Sequence, residues 1–260
     1  MKVIVCIKQV PASGTCLDEG GNLNRSGASV RLNPGDLYAL EAGLLIAEQT
    51  GGSVTALTMG PQRAVQVLQT ALAMGADQAV LLSDPAFRGA DVYATGYTLS
   101  QGIGALGAFD VVICGQQSTD GDTAQLPFSL AKQLEIPAVG WVKLLEIREG
   151  KLLCRQELSL GTQEAEVSGP CLLAVGQGIG TPRIPSLRSQ LRAKGKEVLH
   201  LGLQNLKDQN GDHYGAAASP TRVIRVQEIR KQAKQSPLIL SSECGAEKIL
   251  TLIKEAEQDD

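Results

Sequence analysis

Aromatic side chains are scarce in this chain, at 3% of its residues. That scarcity argues against the stacking surfaces on which single-stranded nucleic acids bind. Basic residues are not in excess either, since 24 Lys and Arg stand against 27 Asp and Glu and the net charge is -3. The composition therefore predicts no nucleic-acid partner.

Long apolar runs and paired cysteines are also missing. No run approaches the length of a membrane span, and the first ten residues are too short for a signal peptide with its cleavage site. The six cysteines contain no C-x-x-C pair, so the sequence predicts no metal site. Cys6, Cys114 and Cys171 lie in apolar runs, as core thiols of a reducing compartment do. We therefore expect a cytoplasmic protein without membrane insertion and without a catalytic residue of its own.

The first half of the chain alternates apolar strands with amphipathic helices. This alternation predicts an α/β fold with a doubly wound, mostly parallel sheet. The predicted strands are 2–7, 54–59, 79–82 and 110–114, and the predicted helices are 34–50, 62–74, 91–106 and 124–134. The polar segment 11–31 is predicted to be a long loop that covers a ligand.

The second half has shorter strands and more polar segments. Residues 141–147 and 151–158 predict a hairpin, and 164–167 and 171–175 add strands to the same core, partly antiparallel. Residues 176–196 carry a short polar helix, 202–221 are predicted to be a loop, and 247–256 to be a last helix.

The stretch 115–125, GQQSTDGDTAQ, joins a predicted strand to a predicted helix. Gly115 and Gly121 are free to take positive φ, and Thr119 or Asp120 is able to cap the helix. A helix start suits a phosphate, and ligands of such sheets sit beyond the carboxyl ends of the strands. Cys6 and Met59 stand at two other strand ends, so we expect one crevice. The alternative is ordinary capping chemistry with no ligand.

Six short segments together resemble the β subunits of electron transfer flavoproteins, over nearly the whole chain. They are residues 5–11, 32–34, 60–61, 71–77 and 115–125, and Arg183 with 186–188 and 193–194. The resemblance implies a heterodimer with an α subunit that carries a redox FAD. It also implies electron exchange with partner dehydrogenases, often of the acyl-CoA dehydrogenase type.

The resemblance further implies an adenine-nucleotide site on this chain. Carried over residue by residue, that site comprises Cys6, Asn33, Met59, Gly115, Gln116, Gln117, Ser118, Thr119, Asp120, Gly121, Asp122, Thr123, Ala124, Gln125 and Leu126. Amides at 122–124 would hold phosphate, with Asp120 or Asp122 facing away as a cap.

Two regions are implied to meet partners. The docking loop falls on 183–194 of a nucleotide-binding domain 1–200, with Leu187 as its apolar anchor beside Arg188. The alternative is that Leu187 packs on its own domain. Residues 201–260 would form a C-terminal arm whose helix packs on the partner subunit.

The nucleotide is AMP in the ordinary branch of the family and a second FAD in the electron-bifurcating branch. Residues 120–125 look like the bifurcating version, so we expect FAD that accepts hydride from NADH. Gly121 would let the backbone approach a diphosphate, and Thr123 would add a hydroxyl donor. A purely structural AMP is one alternative. Another is a stand-alone nucleotide-hydrolysing enzyme or sensor, although the loop lacks a P-loop lysine.

Overall fold

The computed structural model describes residues 1–12, 16–17, 23–24, 29–222 and 241–256. Residue contacts divide the chain into two units, 1–224 and 225–260. The first unit contains a nine-stranded sheet. Strands β2 to β5 lie outside this sheet. In chain order, the described strands are β1 Lys2–Cys6, β2 Gln9–Pro11, β3 Cys16–Leu17, β4 Leu23–Asn24, β5 Val30–Leu32, β6 Ser53–Met59, β7 Gln78–Leu82, β8 Val111–Gly115, β9 Ala138–Arg148, β10 Lys151–Leu158, β11 Gly161–Val167, β12 Cys171–Val175 and β13 Leu199–Leu201.

The strand order of the large sheet is β11-β10-β9-β12-β8-β1-β6-β7-β13. All neighbours from β9 to β13 in this order are parallel, whereas β10 pairs antiparallel with both β9 and β11. The prediction of a mostly parallel sheet with added antiparallel strands is confirmed.

Helices cover both faces of the sheet. The helices of the first unit are α1 Pro34–Thr50, α2 Val65–Met74, α3 Val92–Leu106, α4 Leu126–Leu134, α5 Leu187–Lys194 and α6 Gly215–Ala218, and the second unit contains α7 Ser242–Ala256. Short 3-10 turns stand at Gln62–Ala64, Pro85–Phe87, Leu203–Asn205 and Gly211–His213. Val5 of β1 belongs to the core formed with α1 and α2, whereas its neighbour Ile4 belongs to the core formed with α3 and α4. This alternation is what burial of both faces of a strand requires.

Several boundaries differ from the prediction. The segment 11–31 is not one loop, because β2 pairs with β5 and β3 with β4. Residues 13–15, 18–22 and 25–28 lie outside the described part, and with them most of the predicted ligand cover. The expected loop 202–221 contains two 3-10 turns and α6. Helix α7 begins at Ser242, five residues earlier than expected.

The second unit contributes one described helix, α7. The predicted division of the chain at residue 200, with 201–260 as an arm on a partner subunit, stays a prediction. None of the helices in the described ranges is long and apolar enough to cross a membrane.

Candidate functional site

A cleft of about 1060 Å³ opens at the carboxyl ends of β8, β1, β6 and β7. Cys6, Met59, Leu82 and Gly115, each at or near the end of its strand, line it. Because parallel strands end at the same edge of a sheet, the cleft stands where ligands of such folds bind.

The cleft brings together most of the residues that sequence reasoning grouped. Thr119 and Asp122 are the two predicted residues that do not line it. The lining ones are Cys6, Asn33, Met59, Gly115, Gln116, Gln117, Ser118, Asp120, Gly121, Thr123, Ala124, Gln125 and Leu126. That they bind a nucleotide stays a prediction.

Asn33 joins the start of α1 to the loop that follows β8. Its amide nitrogen donates to Asp36 Oδ1 at 2.9 Å and to the carbonyl of Gln117 at 3.0 Å. Its Oδ1 accepts from the Thr119 amide at 3.2 Å. Thr119 therefore supports the cleft loop through its backbone rather than facing a ligand.

Asp36 is a buried carboxyl group in the cleft wall, and sequence reasoning missed it as a site residue. The backbone amide of Lys8 donates to its Oδ2 at 2.7 Å. Burial raises the pKa of Asp36 to about 7, against the opposing effect of the hydrogen bonds from Asn33 and Lys8. Its protonated form is therefore favoured up to a higher pH than that of an exposed carboxyl group.

Two cysteines lie next to each other in the cleft wall. Cys6 of β1 and Cys114 of β8 are register partners, and both line the cleft. The hydrogen bond with Cys6, followed by burial, raises the pKa of Cys114 well above its ordinary value. A protonated thiol is a poor nucleophile, so Cys114 is not an activated thiol.

Gly115 is required by a close approach rather than by a turn. A Cβ there would lie 2.2 Å from Asp36 Oδ1 and 2.9 Å from the carbonyl carbon of Gly35. The prediction that Gly115 and Gly121 take positive φ is wrong. The left-handed residues of the loop are Asp122, with φ 51°, and Ala124, with φ 52°. Left-handed backbone at a non-glycine residue stores strain, which is common at ligand sites.

The predicted cap is also wrong. Helix α4 begins only at Leu126, its N-cap position is Gln125, and no side chain caps it. Ala124 does not start the helix because its φ is left-handed. Asp120 forms an ion pair with Lys8 Nζ at 2.7 Å instead. That lysine removes most of the repulsion that Asp120 would exert on a diphosphate.

The backbone amides before α4 differ in whether they are free to bind a ligand. The N–H of Asp122 donates to the Ser118 carbonyl at 2.9 Å, so this amide is not available to a ligand as predicted. Within the described residues, the N–H groups of Thr123, Ala124 and Gln125 have no acceptor. Alternating backbone handedness at a helix start makes an anion-binding concavity.

Gln116 connects the cleft loop to β9. Its Oε1 accepts from the Trp141 amide at 2.9 Å, which fixes the orientation of the side-chain amide. Its Nε2 is buried and has no partner among the described residues.

The predicted docking segment is held firmly at its base and exposed at its apolar tip. Arg183 donates two guanidinium hydrogen bonds of 2.9 Å to the buried Glu41 and one of 2.6 Å to Glu48. Ser186 caps α5, and Leu187 at its first position is 73% exposed. The alternative that Leu187 packs on its own domain is therefore wrong for this unit, and the neighbouring Arg188 is exposed as well.

Comparison with known proteins identifies the family. The sequence model of the electron transfer flavoprotein domain matches residues 21–202. This chain belongs to the electron transfer flavoprotein family, as a β subunit. Electron transfer is accordingly its function.

Relatives of this β subunit include members of named complexes. The electron transfer flavoprotein subunit beta of Thermoanaerobacterium thermosaccharolyticum is 39% identical over 226 residues, 86% of each chain. The caffeyl-CoA reductase-Etf complex subunit CarD of Acetobacterium woodii is 38% identical over 228 residues, 86% of this chain and 87% of the relative. The acryloyl-CoA reductase electron transfer subunit gamma of Anaerotignum propionicum is 37% identical over 233 residues, with the same coverage.

The two loop glycines give a matched pair of substitutions. We expect Gly115→Ala to lower the free energy of unfolding by about 3 kcal/mol, the upper end of usual overpacking costs, because the new methyl group meets backbone. Gly121→Ala should change it little, since the nearest atom to a new Cβ is Ser118 Oγ at 3.5 Å. Urea unfolding of both variants measures the difference, and equal costs would refute the close approach.

Asp36 predicts a pH dependence of stability. Its pKa is raised from 3.8 to about 7, so the folded protein holds the proton more tightly and the free energy of unfolding falls as pH rises through that window. Asp36→Asn should remove up to about 4 kcal/mol of this decline, at about 1.4 kcal/mol per pKa unit. Urea unfolding between pH 4 and 8, which covers most of this window, measures it. Asp212→Asn, on an exposed turn, is the control and should show the same pH dependence of unfolding as the unsubstituted protein. If Asp36→Asn shows that same pH dependence, Asp36 is not its cause.

Proposed function

We propose that this β subunit holds FAD in the cleft, pairs with an α subunit, and exchanges electrons with a dehydrogenase of the acyl-CoA dehydrogenase type. The observation that carries FAD is the extent of the cleft. It reaches from the loop after β8 to the loop after β7 and measures about 1060 Å³, beyond the ~300–1,000 Å³ usual for ligand pockets. AMP is only one end of the FAD molecule and would leave much of this space unfilled.

The diphosphate of FAD fits the region before α4. The amides of Thr123, Ala124 and Gln125 would donate to it, and the Thr123 hydroxyl would add a further donor. Lys8 stands across the loop, bound to Asp120. When bound, FAD supplies one- and two-electron redox chemistry, while the chain supplies orientation and exclusion of water.

The apolar part of the cleft suits a ring system. Met59, Leu82, Phe87 and Leu99 line it away from the amides before α4. Phe87 and Leu99 belong to the core formed with α3, so this wall is packed from behind.

The names of the relatives support the proposed partner class. Two of them are named as parts of caffeyl-CoA reductase and acryloyl-CoA reductase assemblies, which act on acyl-CoA compounds. With the likeness of residues 120–125 to the bifurcating branch, they support NADH as the electron donor for the FAD on this chain. We also propose a cytoplasmic location, where such donors and acceptors meet.

Helix α7 offers a surface for the α subunit. Ile249, Leu250 and Ile253 share one helical stripe and are 51–60% exposed within their own unit. We propose that the α subunit covers this stripe, as the arm predicted for residues 201–260 requires.

Thr123→Ala tests the cofactor site. Since Thr123 is not the cap of α4, the change should reduce the FAD content of the β site and leave the α-site FAD in place, with little effect on unfolding. The αβ heterodimer is purified, its cofactors are extracted and counted, and it is titrated anaerobically with NADH. Thr119→Ala is the control, because Thr119 does not line the cleft.

The cofactor count of the unsubstituted heterodimer separates the alternatives. Two FAD per heterodimer with bleaching by NADH support the proposal. One FAD and one AMP, with no bleaching, would establish the structural nucleotide instead. A heterodimer with neither FAD nor AMP on this chain would contradict both alternatives.

Leu187→Ala tests docking. An exposed apolar side chain ringed by polar groups contributes strongly to a small interface, so we expect electron transfer to the partner dehydrogenase to slow at least about tenfold, with FAD content unchanged. Stopped-flow reduction of the partner measures it. Leu160→Ala removes a leucine that is even more exposed, at the turn between β10 and β11, and should leave the rate unchanged. Equal rates for the two variants would refute the docking role.

A further inference from the structure

We propose that Arg88 is an anion-recognition residue of the cleft, which binds a phosphate group of a nucleotide from the side opposite the amides before α4. The inference rests on the proposed function, since it concerns the ligand of the same cleft. It adds a determinant that neither the sequence motifs nor the resemblance contains.

The charge balance of the lining residues singles out Arg88. The basic side chains that line the cleft are Lys8, Arg63 and Arg88. Lys8 is paired with Asp120, and Arg63 is also engaged. The Arg88 side chain is exposed and has no hydrogen-bond or ion-pair partner in the part of the chain that the structure describes. An unpaired guanidinium in a cleft is a ready ligand for a phosphate.

The acidic residues of the cleft do not satisfy Arg88. Asp84 already accepts from the Ala86 amide at 3.0 Å and from the Leu203 amide at 3.0 Å. Asp120 is held by Lys8, and Asp36 is buried beside Asn33. Among the described residues that line the cleft, Arg88 is therefore the cation left free to pair with an incoming anion.

The backbone that carries Arg88 is fixed from behind. Its carbonyl accepts from the Ala216 amide at 2.8 Å. Gly215 takes φ 57° and approaches so closely that a Cβ there would lie 2.6 Å from that carbonyl oxygen and 2.2 Å from the carbonyl oxygen of Ala86. A substitution at Gly215 would push this wall of the cleft out of place.

A buried tyrosine completes the support. Tyr214 is fully buried, with its ring centroid 5.3 Å from that of Phe87 and 5.4 Å from that of Tyr97. Its hydroxyl donates to the Asp208 carbonyl, while the Asp208 carboxylate accepts from the Tyr97 hydroxyl at 2.6 Å. Rigid support of this kind lets a side chain recognise a ligand at little entropic cost.

The spacing of the strands separates Arg88 from the other phosphate donors. Arg88 follows β7 and the amides before α4 follow β8, three strand intervals away, or about 14 Å at ~4.8 Å per interval. Two sources of phosphate fit this position. One is the diphosphate of FAD, reached from its far side, and the other is a phosphate of the pyridine dinucleotide that reduces the flavin.

The experiment compares Arg88→Gln, Arg88→Lys and the unsubstituted αβ heterodimer. Cofactor-depleted heterodimer is titrated with FAD, and FAD-loaded heterodimer is titrated anaerobically with NADH. We expect Arg88→Gln to weaken one of these affinities roughly 10- to 100-fold, the usual worth of a hydrogen bond to a charged group. Arg88→Lys should recover part of the loss, since it keeps the charge but not the planar fork.

Arg31→Gln is the matched control. Arg31 is exposed on β5 next to the lining residue Val30, but does not itself line the cleft. Its substitution removes the same charge nearby and should leave both affinities within twofold. Thermal unfolding of Arg88→Gln should be unchanged, because the side chain has no partner among the described residues to lose.

Each outcome of these titrations either supports or overturns the proposal. A loss of FAD affinity assigns the phosphate to the cofactor, and a loss of NADH affinity alone assigns it to the donor; both support the proposal. Unchanged affinities, or equal losses in Arg31→Gln, overturn it. If the unsubstituted heterodimer binds AMP and no second FAD, the proposed function fails, and AMP becomes the titrant with the same expectation for Arg88.

Discussion

The contact between the start of α1 and the end of β8 controls the geometry of the cleft. Gly115 permits it, since any larger residue there would meet Asp36 and Gly35. Asn33 then bonds to both sides of the contact and so sets the path of the loop after β8. Farther along the same 17-residue helix, Glu41 holds Arg183 at the base of the docking segment. One rigid helix of about 25 Å therefore positions both the cleft and the segment that begins at Arg183.

Three carboxyl groups lie in or near the predicted anion site, and a different physical effect reduces the repulsion that each would exert on an anion. Burial favours the protonated form of Asp36. Lys8 neutralises Asp120, and Asp122 does not line the cleft at all. Three acidic residues near a diphosphate are thus compatible with binding. The sequence alone suggests a repulsion that the fold removes.

Long apolar strands, glycine-ended helices and the crevice at the strand ends were predictable from local patterns. Gly51, for example, ends α1 in a left-handed conformation, as its place after the apolar positions indicated. The conformation of the loop before α4 was not predictable, because left-handed φ fell on Asp122 and Ala124 rather than on glycine. Asp36 was missed because its burial and its partner Lys8 arise only from tertiary contact. Short strands such as β2 have too few residues for a periodicity to be read.

The proposed docking surface suits an electron carrier, which must both bind its partner and dissociate from it. The ion pair of Arg183 with buried Glu41 costs desolvation and gives little net stability, so its main effect is to orient the segment that follows. That segment presents a small apolar tip, Leu187 with Ile184 and Leu191, rather than a broad apolar face. Weak electron-transfer complexes bury less than about 1,200 Å², and a few exposed side chains on a fixed helix suit such an interface. Rigidity lowers the entropic cost of each encounter, while the small contact area keeps dissociation fast.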